Sequence, residues 1–408
     1  MRTLLSSLLS LVTCLALTSC NEQPYKYGAE PLEISSLRQW ENVHRPAIYN
    51  FFETEVYGRM PEKEVPIRYE LLSEGEALAG KALRREVAMH IEGMPSPVLI
   101  LMYIPADADG AVPAFLGMNF KGNHQKNADP EITISVNAPK GKELGSDPER
   151  GAATSRWPLE MLMDNGYALV TIYRGDVDPD FDDGFKNGVH GLFNRAGSEP
   201  PMGNTWGTIG AWAWGLSRAM DYLETDPDVD AKRVAVLGHS RLGKTALWAG
   251  ATDPRFAMVI SNNSGCGGAA LSSRKVGETV AAINKRFPHW FCDNYNRYSD
   301  NEAALMVDQQ GLLALIAPRP LYVASAELDK WADPMGEFLA ARRASPVYEL
   351  YGLKGLQQDS LPAVNTPLKG GSVGYHVRTG KHDITPYDWT QYLDFADIHF
   401  RTESTAKK

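Results

Sequence analysis

Cysteine is scarce in this sequence, with four in 408 residues, and that number excludes a small domain stapled by many disulfides. Long basic runs are absent as well. The formal net charge is −9 with both signs interspersed, so nothing builds the positive face that phosphate backbones require, and nucleic acid is not an expected partner. No internal repeat, low-complexity tract or Ser/Gly/Pro linker divides the chain. What is present, 43% hydrophobic and 22% charged residues, is the composition of an ordinary globular protein rather than of a disordered or collagenous one. The length permits two or three domains, yet a single α/β domain can also run this long. With no linker, one domain is expected over 20–408.

Arg2 followed by the apolar stretch 4–17 reads as an export signal, since the stretch falls short of the ~20 residues that span a bilayer. It ends in Leu17-Thr18-Ser19-Cys20, which resembles the lipobox of bacterial lipoproteins. The expectation is a signal peptide at 1–19 and a lipidated Cys20, giving an exported, periplasmic or outer-membrane-anchored protein. Its acyl chains would hold it to the membrane without a spanning helix. A plain secretory signal with an incidental cysteine is the alternative. Loss of 1–19 removes Arg2 and no acid, taking the net charge from −9 to near −10 (−9 minus 1). Cys266 and Cys292 are then a possible pair in an oxidising compartment, or two buried free thiols.

Over 20–95 the pattern is an N-terminal elaboration. Residues 37–57 have helical periodicity, and 66–72 and 85–91 alternate as half-exposed strands. Over 96–402 it changes to apolar runs separated by helices, which is the sign of a doubly wound, mostly parallel α/β sheet. Strands are predicted at 98–104, 113–119, 167–173, 233–237, 256–260, 320–324 and 347–350, and helices at 206–224, 243–251, 334–344 and 386–400. The segment 121–157 is polar, irregular and long, the kind that lines a site or covers a surface.

The segment 233–245 carries the most chemistry. An apolar run enters Gly238-His239-Ser240-Arg241, after which a helix begins. A strand–turn–helix of this kind exposes a serine hydroxyl above the sheet edge. The N–H of the next residue can then stabilise an oxyanion, helped by the helix's positive end. The usual pattern is G-x-S-x-G; here Leu242 stands at the last glycine and Gly243 follows. The same letters, 238–245, also read G-x-x-x-x-G-K-T, a phosphate-cradling P-loop, which raises a nucleotide-binding protein as a rival. Against it, the run 256–260 leads into Ser261-Asn262-Asn263 rather than a magnesium-binding acid.

Downstream, the order serine, acid, histidine continues as in α/β-hydrolases. Glu327 and Asp329 follow the run 320–324, where an orienting carboxylate belongs, and His376 and His382 lie in a glycine-flanked segment before the last helix. A histidine there takes the serine's proton and returns it to the leaving alcohol, while the acid holds its tautomer. Each has an ordinary alternative, a helix cap for Ser240 or Asp329 and a solvated loop residue for either histidine. Their order, and their positions at element boundaries, favour the catalytic reading.

Several longer motifs point to one family. They are Met118-Asn119-Phe120-Lys121-Gly122-Asn123-His124, Tyr173-Arg174-Gly175-Asp176-Val177-Asp178-Pro179, Trp206-Gly207 with Trp214-Gly215-Leu216-Ser217-Arg218, Gly238 through Lys244, Asn263-Ser264-Gly265-Cys266-Gly267-Gly268, Pro288-His289-Trp290-Phe291-Cys292, and Trp331-Ala332-Asp333-Pro334. Over most of 110–400 the chain resembles carbohydrate esterase family 15, the glucuronoyl esterases. The resemblance implies an α/β-hydrolase fold, no metal or cofactor, and cleavage of esters of glucuronic acid such as those joining 4-O-methyl-glucuronoyl groups of xylan to lignin alcohols. It makes Ser240 the nucleophile, Arg241 the oxyanion-stabilising arginine, Lys244 a sugar-hydroxyl ligand and His382, in its Gly-Lys-His-Asp segment, the general base. The family places its acid in either of two loops. Asn262 and Asn263 occupy the first and neither is a carboxylate, so the role falls to Asp329, with Glu327 as alternative. Glu278 and Trp331 resemble residues that contact the uronate ring, and 119–123 is a source for the second oxyanion donor. Another carbohydrate ester, such as acetylated xylan, is the alternative substrate.

Overall fold

The structure is a computed structural model and describes residues 25–62, 64–138, 149–193 and 203–401. Cys20 and the expected signal segment lie outside the described residues.

Among these residues, nine strands form one sheet in the order β1-β2-β3-β5-β4-β6-β7-β8-β9. They are β1 (Ile67–Ala77), β2 (Ala82–Ile91), β3 (Val98–Pro105), β4 (Val112–Asn119), β5 (Ala168–Tyr173), β6 (Val229–His239), β7 (Met258–Asn262), β8 (Leu321–Ala326) and β9 (Val373–Arg378). The pairs β1–β2, β2–β3 and β3–β5 are antiparallel, and every pair from β5 to β9 is parallel. Every residue of β3, β4 and β5 is buried, as befits unbroken apolar runs covered on both faces. By contrast β1, at the edge, mixes half-buried and exposed positions. One face carries Trp212, Trp248 and Phe338, and the other Phe115, Tyr322 and Trp389, so helices wind on both sides as predicted.

The N-terminal elaboration is built onto this frame. A continuous helical run from Leu37 to Val56, partly in wide π turns, buries Trp40, Ile48, Phe51, Phe52 and Val56 in the first core layer. The strands β1 and β2 extend the antiparallel edge of the same sheet.

Two expectations fail. Residues 347–350 are not a strand but the last turn of the helix Pro334–Leu350. Ala340, Ala341, Ala344, Val347 and Tyr348 are all buried, a helical spacing that a four-residue apolar run cannot distinguish from a strand. The final strand is instead β9, which pairs in parallel with β8 from Leu321↔Val373 to Ala326↔Arg378. Its sequence, with Gly374, His376 and Arg378, reads as a loop. Inside the fold a Cβ on Gly374 would lie 2.4 Å from the Tyr322 ring, and both polar side chains are buried against Asp388.

Candidate active site

The strand β6 ends at His239 and the helix Arg241–Thr252 begins two residues later, leaving Ser240 alone in the turn with φ 59° and ψ −129°. That backbone region is nearly reserved for glycine and costs of order 1–3 kcal/mol. Its surroundings enforce it. The Ser240 N–H donates to Asn262 O at 2.8 Å, and the Gly243 N–H donates to Ser240 O at 2.9 Å. A Cβ on Gly238 would sit 1.8 Å from Leu242 O, and one on Gly243 would lie 3.0 Å from both Gly238 O and Ser264 Cβ. The tight approach thus falls on position 243 rather than 242, and the Leu242 side chain turns into the core. A phosphate-cradling loop needs several residues with free N–H groups between strand and helix. One residue does not make that loop, and the P-loop reading is ruled out.

Two neighbouring loops at the same sheet edge complete the constellation. His382 follows β9, Asp329 follows β8, and His382 Nδ1 lies 2.5 Å from Asp329 Oδ2. Asp329 is buried and takes a second hydrogen bond from the Ala332 N–H at 3.3 Å, whereas the His382 side chain is 43% exposed. With Nδ1 turned to the carboxylate, Nε2 is the nitrogen left to exchange a proton. Glu327 turns elsewhere, accepting from the Gly380 N–H at 3.4 Å. His376 is held inside β9, with Nε2 2.9 Å from Asp388 and Nδ1 3.0 Å from the Tyr322 hydroxyl. Of the paired alternatives, the structure therefore brings Asp329 and His382 together with Ser240. All three line one cleft of about 290 Å³, along with Arg241, Lys244, Glu278 and Trp331.

Charge in this cleft is tightly organised. The Arg241 guanidinium carbon lies 4.5 Å from the Trp290 ring centroid and 5.2 Å from that of Phe287, and Nη1 donates to Asp180 Oδ2. Asp180 also receives Arg174 Nη1 at 2.9 Å, His289 Nε2 at 3.0 Å and Trp290 Nε1 at 2.7 Å. Burial pushes the His289 imidazolium down to about 4, so the ring is neutral and donates through Nε2. The Arg241 Nε is buried without a hydrogen-bond partner. Lys244 Nζ donates to Ser264 O at 2.5 Å and stands 3.8 Å from Glu278. Burial holds its ammonium below the usual range, partly offset by that carboxylate. Trp331 is 51% exposed at the cleft mouth, and its carbonyl accepts from the Glu278 N–H at 3.0 Å.

Comparison with known proteins follows the same lines. A family model described as glucuronyl esterase of fungi matches residues 159–352. A carbohydrate esterase from an unknown prokaryotic organism is 47% identical over 376 residues, covering 90% of this chain and 87% of its own. The solved structure of a promiscuous family 15 esterase from a marine bacterial metagenome has a TM-score of 0.84 at 45% identity, covering 92% of this chain and 98% of that one. A glucuronoyl esterase from Solibacter usitatus also scores 0.84, at 46% identity, covering 90% of this chain and 94% of its own. The chain belongs to carbohydrate esterase family 15. Its fold is the α/β-hydrolase fold.

In this family 15 member the loop after β7 is filled by amide chemistry. Asn262 Oδ1 lies 2.6 Å from His239 Nδ1, and its Nδ2 donates to Tyr392 Oη at 2.7 Å and Asp388 Oδ1 at 3.1 Å. His239, whose ring centroid is 4.5 Å from that of His382, is pushed down to about 3 by burial and by the charge of His382. It is a neutral wall of the site, not a second base. In the 119–123 loop, Asn119 Nδ2 donates to Asn123 Oδ1 at 2.7 Å, and Asn123 Nδ2 donates to Leu99 O at 2.8 Å. These side chains brace the loop. Cys266 and Cys292 are separate buried free thiols. Among the described residues no group of three or more His, Cys, Asp or Glu is placed to hold a metal ion.

Sequence reasoning missed Asp180, which lies in a segment containing Asp176, Asp178, Asp182 and Asp183. Nothing local marks it out, because its partner Arg241 is 61 residues away. It also missed Glu337, fully buried on the helix Pro334–Leu350. Its carboxylate takes hydrogen bonds from the Gly265 N–H at 3.0 Å and the Ser325 hydroxyl at 2.6 Å, and burial pushes it up to about 7.

Proposed function

We propose that this family 15 enzyme is a serine esterase that hydrolyses esters of glucuronic acid, including the 4-O-methyl-glucuronoyl groups that link xylan to lignin alcohols. The observation that carries the reading is the strained Ser240 turn sharing one cleft with the His382–Asp329 pair and with Arg241, Lys244 and Glu278. A relative from Wolfiporia cocos bears the name 4-O-methyl-glucuronoyl methylesterase and is 28% identical over 69% of this chain and 71% of its own.

Ser240 Oγ attacks the uronoyl carbonyl carbon and passes its proton to His382 Nε2, while Asp329 stabilises the imidazolium that forms. The tetrahedral oxyanion collapses, the bond to the alcohol oxygen breaks, and the leaving oxygen takes the proton from His382. Water then attacks the acyl-serine, gives a proton to His382, and the second collapse returns that proton to Ser240 and releases the uronic acid. The oxyanion meets the N–H groups at the start of the helix Arg241–Thr252, which have no helical acceptor of their own. It also meets the Arg241 guanidinium, kept in place by Asp180 and the Trp290 face. A preorganised donor of this kind contributes roughly 3–4 kcal/mol to the barrier. Lys244 and Glu278 bind sugar hydroxyls, and Trp331 covers the ring.

Export and a lipid anchor at Cys20 belong to the same proposal, supported by the Leu17-Thr18-Ser19-Cys20 motif and by the size of the polymer substrate. Cys20→Ser is expected to move the protein from the membrane to the soluble fraction, and retention would remove the anchor from the account. The substrate is tested by comparing a methyl ester of glucuronate with acetylated xylo-oligosaccharides. Turnover of the uronate ester is expected, and activity on the acetylated sugars alone would overturn the assignment.

A further inference from the structure

His382 stands on the segment 379–385, which lies between β9 and the helix Pro386–Phe400 and contains no helix or strand of its own. One ring nitrogen is held by Asp329, but a base on such a loop also needs its backbone fixed. Arg378, the last residue of β9, supplies that. Its side chain is buried, and its guanidinium spreads beneath the loop. Nη2 donates to Lys381 O at 3.1 Å and to Asp383 O at 2.5 Å, and Nη1 donates to Thr379 O at 2.9 Å. The two carbonyls taken by Nη2 belong to the residues on either side of His382. Asp383 O accepts a second hydrogen bond from Asn263 Nδ2 at 2.9 Å, reaching in from the loop after β7.

The third arm of the guanidinium, Nε, donates to Asp388 Oδ2 at 2.7 Å. Asp388 is fully buried in the first turn of the helix Pro386–Phe400, where it closes a capping box with Thr385. Burial disfavours its charge, yet His376, Arg378 and Thr385 hold the carboxyl below the usual carboxylate range. Its other oxygen, Oδ1, accepts from Asn262 Nδ2 at 3.1 Å, and the backbone carbonyl of that asparagine takes the Ser240 N–H at 2.8 Å. One carboxylate thus reaches the base through one oxygen and the nucleophile turn through the other.

We propose that Arg378 and Asp388 are positioning residues of the reaction, which together set where His382 Nε2 stands relative to Ser240 Oγ. The inference rests on the serine–histidine chemistry of the esterase reading. Neither side chain lines the cleft of Ser240, so the effect passes through the backbone of the base loop and of the serine turn. A base works only within hydrogen-bond reach of the proton it takes, and a misplacement of about 1 Å can cost roughly 10²-fold.

The test is Arg378→Lys, which keeps a cation opposite Asp388 but cannot fork onto the carbonyls that flank His382. It is expected to fold, to lower kcat for the methyl ester of glucuronate about 10- to 100-fold, and to leave KM within about threefold. The rate at which a small alkyl fluorophosphonate modifies Ser240 should fall in step with kcat, because that reaction needs the same base and no sugar contact. A folded Arg378→Lys protein with both rates near wild type overturns the proposal, and so does a raised KM at unchanged kcat. Where Arg378→Lys does not fold, Asn263→Gly decides. Glycine suits the φ of 47° at that position and takes away the second donor on Asp383 O. A kcat lowered about threefold or more at unchanged KM supports the clamp on the base loop, and wild-type kcat removes it. If the wild type hydrolyses no uronate ester, the substrate reading falls and the fluorophosphonate rates decide the clamp alone. A wild type inert to that reagent as well overturns both.

Discussion

Asp180 and Arg241 form the ion pair on which the charge of this site turns. The guanidinium of the residue after Ser240 is fixed by a buried carboxylate that also gathers Arg174, His289 and Trp290. Four donors on one acid leave it little freedom, and through it the arginine has one position.

Asp180→Asn is therefore expected to act on the transition state. Loss of the ion pair should lower kcat about 10- to 100-fold while KM stays within about threefold, because the oxyanion exists only after the attack. Asp180→Glu should restore part of kcat. A rise in KM with unchanged kcat would show that Asp180 merely shapes the substrate cleft.

Asp329→Asn should lower kcat by about 10³–10⁴, since the amide sets the wrong tautomer on His382. Glu327→Gln should cost less than about threefold, its side chain being engaged with the Gly380 N–H. Steady-state kinetics on the methyl ester rank the two, and the reverse ranking would reassign the acid.

How much of this was legible beforehand depends on how local each signal is. The Ser240 turn, the acid after β8 and the histidine before the last helix announce themselves through glycines, apolar runs and order along the chain. The choice of Asp329 over Glu327 and of His382 over His376 came from family resemblance; in the structure His382 Nδ1 lies 2.5 Å from Asp329, while Glu327 and His376 have other partners. Residues 347–350 misled because a four-residue apolar run has no period of its own. Strand β9 was hidden because its polar residues are buried against Asp388, a partner on the following helix that no strand pattern encodes. Asp180 has no local signal at all, being defined by donors gathered from distant segments.

Glu278→Gln removes the carboxylate that faces Lys244 at 3.8 Å. KM for the methyl ester is expected to rise about tenfold with kcat changed less than about threefold, the pattern of lost uniform binding. An unchanged KM would take Glu278 out of the sugar site.

Glu337 gives a pH signature. Its carboxyl is raised from 4.5 to about 7 by burial, so between those values the folded protein keeps a proton that the unfolded chain has lost. The stability it contributes is complete below pH 4.5 and declines as pH rises to about 7. Glu337→Gln lacks that titration. Its unfolding free energy relative to wild type should climb by about 3 kcal/mol from pH 4.5 to 7.5 in urea titrations. A pH-independent difference would place the proton elsewhere.

The most direct test of the central claim is the hydrolysis rate of methyl 4-O-methyl-glucuronate by the wild type and by Ser240→Ala, with melting temperatures measured alongside. The account predicts ready turnover by the wild type and a loss of about 10⁴-fold or more in the variant at an unchanged melting temperature. A folded Ser240→Ala protein that keeps activity within a few-fold of wild type would contradict it.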